Sequence, residues 1–272
     1  AIETPFQIEE LLSFETKKLL NFIKQESPVE QLISYFALPF DFNNVSAFCK
    51  SIVLGQNSSN FIEAEGLYEI SKIKELVNTK NFDGFNNKHL KSALLEFQVL
   101  ASKPNIKGDE VDFLFKKHLY ENLKEACHKN AITKMLVETN IDIENISTAM
   151  RAPSQYHLEQ QTLSGGTLSN KTLLEVFKKN KEAMLSNLSP VLTRFVKLAL
   201  SENKEKAFVE FEKLKNTYPL TLLESKKNDI DSIGPFANFV FKKQIEIKNI
   251  RLIMSYHNNN LSEHIKKRYL EN

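Results

Sequence analysis

The chain has 272 residues, 42% of them hydrophobic, with 36 lysines and arginines set against 34 aspartates and glutamates. So balanced a charge gives no strong field toward nucleic acid or an anionic bilayer, and the length suits one large domain or two ordinary ones. Seven glycines, eight prolines and no tryptophan, in a chain rich in Leu, Lys, Glu and Phe, favour helices over a sandwich or barrel.

Residues 5–26, PFQIEELLSFETKKLLNFIKQE, predict a first helix with Pro5 at its start and Phe6, Leu11 or Leu12, Phe14, Leu19 and Phe22 on one side. In SPVEQLISYFAL, Ser27 is the expected N-cap, Pro28 the first helical residue and Glu30 the third. Pro39 is expected to end or kink that helix. DFNNVSAFCKSIVLG then runs as a helix closed by Gly55. Residues 56–87 read as short helices and polar turns. KHLKSALLEFQVL, residues 109–128, and AITKMLVETNIDIENISTAMRA, closed by Pro153, are further helices. LSGGTLS at 163–169 is a loop, with Ser169 as N-cap of NKTLLEVFKKN. SPVLTRFVKLALS, EKAFVEFEKLKNTY, a long segment from Pro235 and a capped terminal helix from Ser262 complete the order. No alternating run reads as a strand, so the fold class is all-α. No stretch reaches the roughly 18 apolar residues of a transmembrane helix. Cys49 and Cys127 lie far from CxxC spacing and read as buried free thiols in a reducing compartment.

Three stretches share one pattern. PFDFNNVSAFC carries Asp41 and Asn44, NIDIENISTAM carries Asp142 and Asn145, and QIEIKNIRLIM carries Glu246 and Asn249. The acids recur at intervals of 101 and 104 residues, the mark of repeated structural units. The expected units are 1–55, 56–153 and 154–272, and the spacing leaves the first short by roughly sixty residues on its N-terminal side. On a helix, positions i and i+3 share a face, so each pair is a polar group half-sunk at a helix–helix contact. Buried there, each unsatisfied group costs about 1–3 kcal/mol, and the expected partners are N–H groups at helix ends of a neighbouring unit. The competing reading, three acids converging on a metal or ligand, fits poorly because metals draw ligands at short spacings or from His and Cys. LSGGTLS lacks the GK[ST] of a phosphate loop, and His257 and His264 flank a turn without a third ligand. Asp109, Glu110 and Asp112 suit a helix start, and neither GxSxG nor HExxH occurs. Catalytic, cofactor-binding and metal residues are therefore expected to be none.

LPFDFNNVSAFCKSIVLG, NIDIENISTAMRA, and FKKQIEIKNIRLIM with the later NNNLSEHIKKRYL resemble the C-type subunit of archaeal- and bacterial-type V-ATPases, kin to the eukaryotic d-type subunit. That family's patterns read like DFxNxKxxxR, IDxxNxxxxxR and KExEIxNxRxI followed by LSxEEI, and its GG loop looks like Gly165-Gly166. Ser46 and Ser147 stand where the family has a basic residue two after the Asn, while Lys50 and Arg151 keep the later basic position. Gln244 replaces a Glu. The resemblance marks Asp41, Asn44, Lys50, Asp142, Asn145, Arg151, Glu246, Asn249 and Arg251 as structural-motif residues. It implies a threefold pseudo-symmetric helical funnel on the central stalk, wide end on the membrane rotor ring, cavity receiving the foot of the shaft. The implied partners are D- and F-type central-shaft subunits and the c-type proteolipid ring, with no nucleic acid, no cofactor and no catalysis of its own. The implied location is peripheral, on the cytoplasmic face of the membrane, and the family's chain begins with about one more helical hairpin. An alternative of another class is a helical scaffold that holds a partner in its concave face.

Overall fold

A computed structural model describes residues 5–55, 64–258 and 270. The fold is all-α, and among the described residues no strand occurs. In chain order the helices are α1 (Pro5–Glu26), α2 (Glu30–Leu54), α3 (Ile70–Asn78), α4 (Lys88–Ala101), α5 (Gly108–Cys127), α6 (Ala131–Arg151), α7 (Gln155–Gln161), α8 (Asn170–Phe177), α9 (Pro190–Ala199), α10 (Lys204–Leu223) and α11 (Gly234–Asn258). Single 3-10 turns lie at Phe82–Gly84 and Lys181–Leu185. The terminal helix expected from Ser262 lies outside the described residues. The chain falls into two compact units, Leu20–Lys134 and Ala1–Leu19 with Met135–Asn272, and both cuts fall inside helices, α1 and α6.

In the unit Leu20–Lys134, α2 packs on α5, and α5 on α4. Leu32, Phe36, Phe42, Val45 and Cys49 of α2 are buried, as are Leu90, Leu94 and Phe97 of α4 and Val111, Phe115 and Leu123 of α5. From Tyr35 to Cys49, α2 buries residues on every side. That burial overrides the proline rule. Pro39 sits inside an unbroken helix, where it removes one N–H at a cost of about 3 kcal/mol. Burying several large apolar side chains, each worth about 1.5–3 kcal/mol, offsets the loss. The helix also starts two residues later than expected, with Val29 as N-cap, because the Ser27 hydroxyl donates to the Val29 carbonyl (2.8 Å) instead of capping.

In the other unit, Phe195 of α9 meets Phe211 and Tyr218 of α10 edge-on, at centroid distances of 4.9 and 6.2 Å. The Tyr218 hydroxyl donates to Asn140 Oδ1 (2.6 Å), so the buried ring keeps its polar end satisfied. α10 does not stop at Tyr218 but continues through buried Pro219 to Leu223. In α1 the buried positions are Ile8, Leu12, Leu20 and Ile23, while Leu11, Phe14 and Phe22 are exposed. The buried face is thus rotated away from the stripe of phenylalanines.

A common order of elements follows both motif helices. After α2 the described chain, from residue 64, runs as a loop into the short helix α3, followed by a 3-10 turn and the helices α4 and α5; after α6 and α7 come a loop, α8, a 3-10 turn, α9 and α10. The ends of α3 and α8 are built alike. Lys80 and Lys179 take left-handed φ of 55° and 58°, and Asn81 and Asn180 donate N–H to the carbonyls of Leu76 and Glu175 (3.0 and 2.9 Å). Both are Schellman closures with lysine where glycine is commonest.

Candidate functional site

A carboxylate only accepts hydrogen bonds, whereas a side-chain amide both donates and accepts. The acid–Asn pairs use that difference. On α2, Asp41 and Asn44 are fully buried. Both oxygens of Asp41 lie 2.9 Å from the Leu67 N–H, and Oδ1 also accepts from the Tyr68 N–H (3.1 Å). Asn44 Nδ2 donates to the Ala64 carbonyl (3.1 Å). On α6, Asp142 accepts from the Thr167 N–H (2.9 Å to each oxygen), the Leu168 N–H (3.0 Å) and the Thr167 hydroxyl (2.6 Å). Asn145 Nδ2 donates to the Leu163 carbonyl (2.9 Å), and its Oδ1 accepts from the Leu163 N–H (2.8 Å). Each pair is a clasp that fixes the loop leading into the next short helix, α3 or α8. A glycine permits the approach. A Cβ on Gly66 would lie 2.4 Å from Asp41 Oδ1, and one on Gly166 2.1 Å from Asp142 Oδ1.

The third motif keeps only the amide half. Asn249, buried on α11, exchanges both bonds with Leu270, Nδ2 to the carbonyl (2.8 Å) and N–H to Oδ1 (2.9 Å). Glu246 is half-exposed and pairs with Lys243 (2.7 Å). The expected partners of the pairs are also corrected. They are not N–H groups at helix ends but loop backbone 18 to 27 residues further along the chain, which for the first two pairs does fall in the next of the expected units, 56–153 and 154–272. Loop amides have no ladder to complete, so a buried loop must borrow its acceptors from side chains.

The basic positions are placed as follows. Lys50 Nζ lies 2.8 Å from Asp112 Oδ1, which also accepts from the Ser46 hydroxyl (3.2 Å). Asp112 therefore bridges α5 to α2. Arg151 folds back on its own helix, Nη2 to Ser147 Oγ (2.6 Å) and Nε to the Ser147 carbonyl (3.2 Å). The two serines that stand in place of the family's basic residue are thus linked to the later basic residue. Arg251 meets Glu9 at 3.2 Å, both exposed.

Burial pushes the Asp41 carboxyl up to about 7, against the downward pull of the Leu67 and Tyr68 N–H groups and the Lys24 charge. Lys24 also donates to the Gly66 carbonyl, a second hold on the same loop. Cys49 and Cys127 are buried and free, as the sequence predicts. Burial raises both thiols, Cys127 to about 12, which leaves almost no thiolate for chemistry.

Sequence reasoning missed two groups. The loop Ala64–Tyr68 carries a faint signal, since EGLYE ahead of α3 parallels GGTLS ahead of α8. His89, His118 and Glu121, drawn from α4 and α5, each offer one ligand atom within 4.8 Å of the others. No metal residue was expected, because only His118 and Glu121 are close in sequence and their spacing is that of any helix surface.

The clasps commit their carboxylates and amides to backbone groups, which is bracing and not catalysis. Among the described residues no helix is long and apolar enough to cross a membrane. The sequence is 22% identical over 271 residues to the C-type subunit of the V-type sodium ATPase of Enterococcus hirae, covering 94% of this chain and 80% of that one. It is 21% identical over 275 residues to the C-type subunit of the A-type ATP synthase of Methanocaldococcus jannaschii, covering 93% and 69%. The sequence profile of the ATP synthase (C/AC39) subunit matches residues 2–269, nearly the whole length, and the chain belongs to that family.

Proposed function

We propose that this chain is the non-catalytic central-stalk subunit of a V/A-type rotary ATPase or ATP synthase, a socket that couples the rotating shaft to the membrane ring during ion transport. The observation that carries the reading is family membership over almost the entire chain, with the three motifs in order along it. In this proposal three pseudo-equivalent helical units, 1–55, 56–153 and 154–272, close into a threefold funnel. D- and F-type shaft subunits enter its cavity, and the c-type ring receives its wide end at the cytoplasmic face. The clasps suit such a part. A socket under torque must not let its loops slide, and a loop fixed by buried hydrogen bonds moves only when those bonds break, at about 1–3 kcal/mol for each group left unpaired.

The test is retention of the untagged chain by purified shaft subunits and by detergent-solubilised ring, each immobilised in turn. Retention by both is expected, with shaft binding weakening as salt rises because charge steers and registers such contacts. Retention by neither, or ATP turnover by the highly purified chain alone, would overturn the proposal. Three motif helices strung along a progressive superhelix would favour the scaffold instead.

A further inference from the structure

The α4–α5 hairpin holds a side chain that the bracing role does not use. His118 is only 4% exposed, yet neither ring nitrogen has a hydrogen-bond partner. Its Nε2 lies 3.1 Å from Glu96 Oε1 without the alignment of a hydrogen bond, and its Nδ1 lies 3.6 Å from Glu121 Oε2, too far for one. An orphaned buried imidazole is uncommon and asks for a missing partner. His89, in the first turn of α4, faces the same spot, so that one ligand atom each from His89, His118 and Glu121 falls within 4.8 Å of the others. The hairpin sets this up. His118 and Glu121 are three apart on one face of α5, and Asn87 Nδ2 donates to Asn122 Oδ1 (2.6 Å), holding the start of α4 against α5. Glu125 Oε2 stands 2.9 Å from His89 Nε2.

We propose that His89, His118 and Glu121 bind a divalent transition-metal ion of the zinc class. Two imidazoles and one carboxylate are a zinc-type donor set, whereas calcium and magnesium require mostly oxygen. Ligand atoms about 2.0–2.2 Å from a tetrahedral ion lie roughly 3.3 Å apart, so the cluster closes by up to about 1.5 Å when the ion enters. Glu121 and His89 supply that movement by side-chain rotation, since neither is buried. Glu96 at His118 and Glu125 at His89 are placed as the outer carboxylates that orient metal-bound histidines. With water as fourth ligand the ion ties α4 to α5 and stabilises the folded chain as it fills.

The experiment titrates the untagged full chain with zinc chloride by calorimetry, with thermal melts and cobalt(II) visible spectra in parallel. One-to-one binding, a rise in Tm with zinc and the intense d–d bands of tetrahedral cobalt are expected. His89→Ala and Glu121→Gln should each weaken binding by at least about 10–100-fold, the loss that outer-shell changes alone cause. His157→Ala, on α7, should leave it unchanged. His118→Ala is also made, but the two less buried positions decide the matter because His118 lies in the core. Absence of saturable zinc binding, or affinity unmoved by both His89→Ala and Glu121→Gln, overturns the proposal. Either result would mean that His118 is simply held between the carboxylates of Glu96 and Glu121 and does nothing more.

Discussion

Asn145→Leu isolates the clasp from every other contact of α6. The parent amide is 3% exposed and makes two bonds to Leu163, at 2.9 and 2.8 Å, and Leu163 is itself buried. Leucine has the same branched skeleton as asparagine, with bulkier methyl ends, and offers neither donor nor acceptor, so the Leu163 N–H and C=O both lose their partner. Each buried orphan costs about 1–3 kcal/mol, which puts the pair at roughly 2–6 kcal/mol, with the lower end applying if water reaches the loop. Against a whole-domain stability of about 5–15 kcal/mol this is a large fraction. At about 2–4 °C per kcal/mol for a chain of this size, the melt should fall by roughly 5–20 °C. Urea unfolding followed by far-ultraviolet circular dichroism gives the energy, and hydrogen exchange locates it. Exchange should speed at Leu163, Thr167 and Leu168 while the middle of α6 stays protected, because the loop opens before the helix does. A melt within a degree of the parent, with Leu163 exchanging at its parent rate, would show that the clasp contributes nothing.

Gly166→Ala should cost about 1–3 kcal/mol, because its Cβ meets Asp142 Oδ1 at 2.1 Å and that carboxylate is already held by three donors. Gly55→Ala, at φ +64° in open space, should cost only about 1 kcal/mol, and equal urea midpoints for the two variants would mean that the loop simply yields. Glu246→Gln should change stability by less than about 0.5 kcal/mol, since its partner Lys243 is half-exposed; a drop of several degrees in Tm would reveal a third carboxylate clasp. For Asp41 the folded carboxyl sits near 7 against an ordinary 3.8, so the folded chain holds the proton more tightly than the unfolded one. Its contribution is fully present below pH 3.8 and is lost as pH rises to about 7, up to about 4 kcal/mol. Relative to Asp41→Asn, the parent should therefore lose stability between about pH 4 and about pH 7, and a difference that stays flat across urea titrations in that window refutes the assignment.

Where a signal is local, the sequence carries it. Ser169 and Ser189 cap α8 and α9 by accepting from the Thr172 and Leu192 N–H groups (3.1 and 3.3 Å), and Gly55 closes α2 in the left-handed region. Such caps need only neighbours in the chain. Local rules fail where burial outweighs them, as at Pro39 and Pro219, and where two apolar stripes compete for one helix, as in α1. The acid–Asn repeat itself is visible because its partners demand those residue types. Its targets are not, because they are backbone groups that any residue presents, with Gly66 and Gly166 as the residue-type clues to the close approach. The repeated Lys-Asn at 80–81 and 179–180, which closes α3 and α8, is legible only once both closures are seen. His89 and His118 escape for another reason: they meet only after α4 and α5 have paired.

The two halves of the motif answer different demands, which explains why they part company at the third copy. Asn44, Asn145 and Asn249 each donate to a carbonyl 18 to 21 residues on. For Leu163 and Leu270 the same amide also accepts that residue's N–H, so the side chain stands in for a peptide group in an extended pair. That exchange needs one donor and one acceptor at fixed reach, and the extra methylene of Gln would loosen it. The acid meets a different requirement, two successive N–H groups immediately ahead of α3 or α8, where the positive end of a helix adds to the attraction for negative charge. At Glu246 the side chain is longer and turned to Lys243, yet Asn249 still holds Leu270. The amide clasp therefore works without the carboxylate, and fixing chain to helix is the property the three copies share.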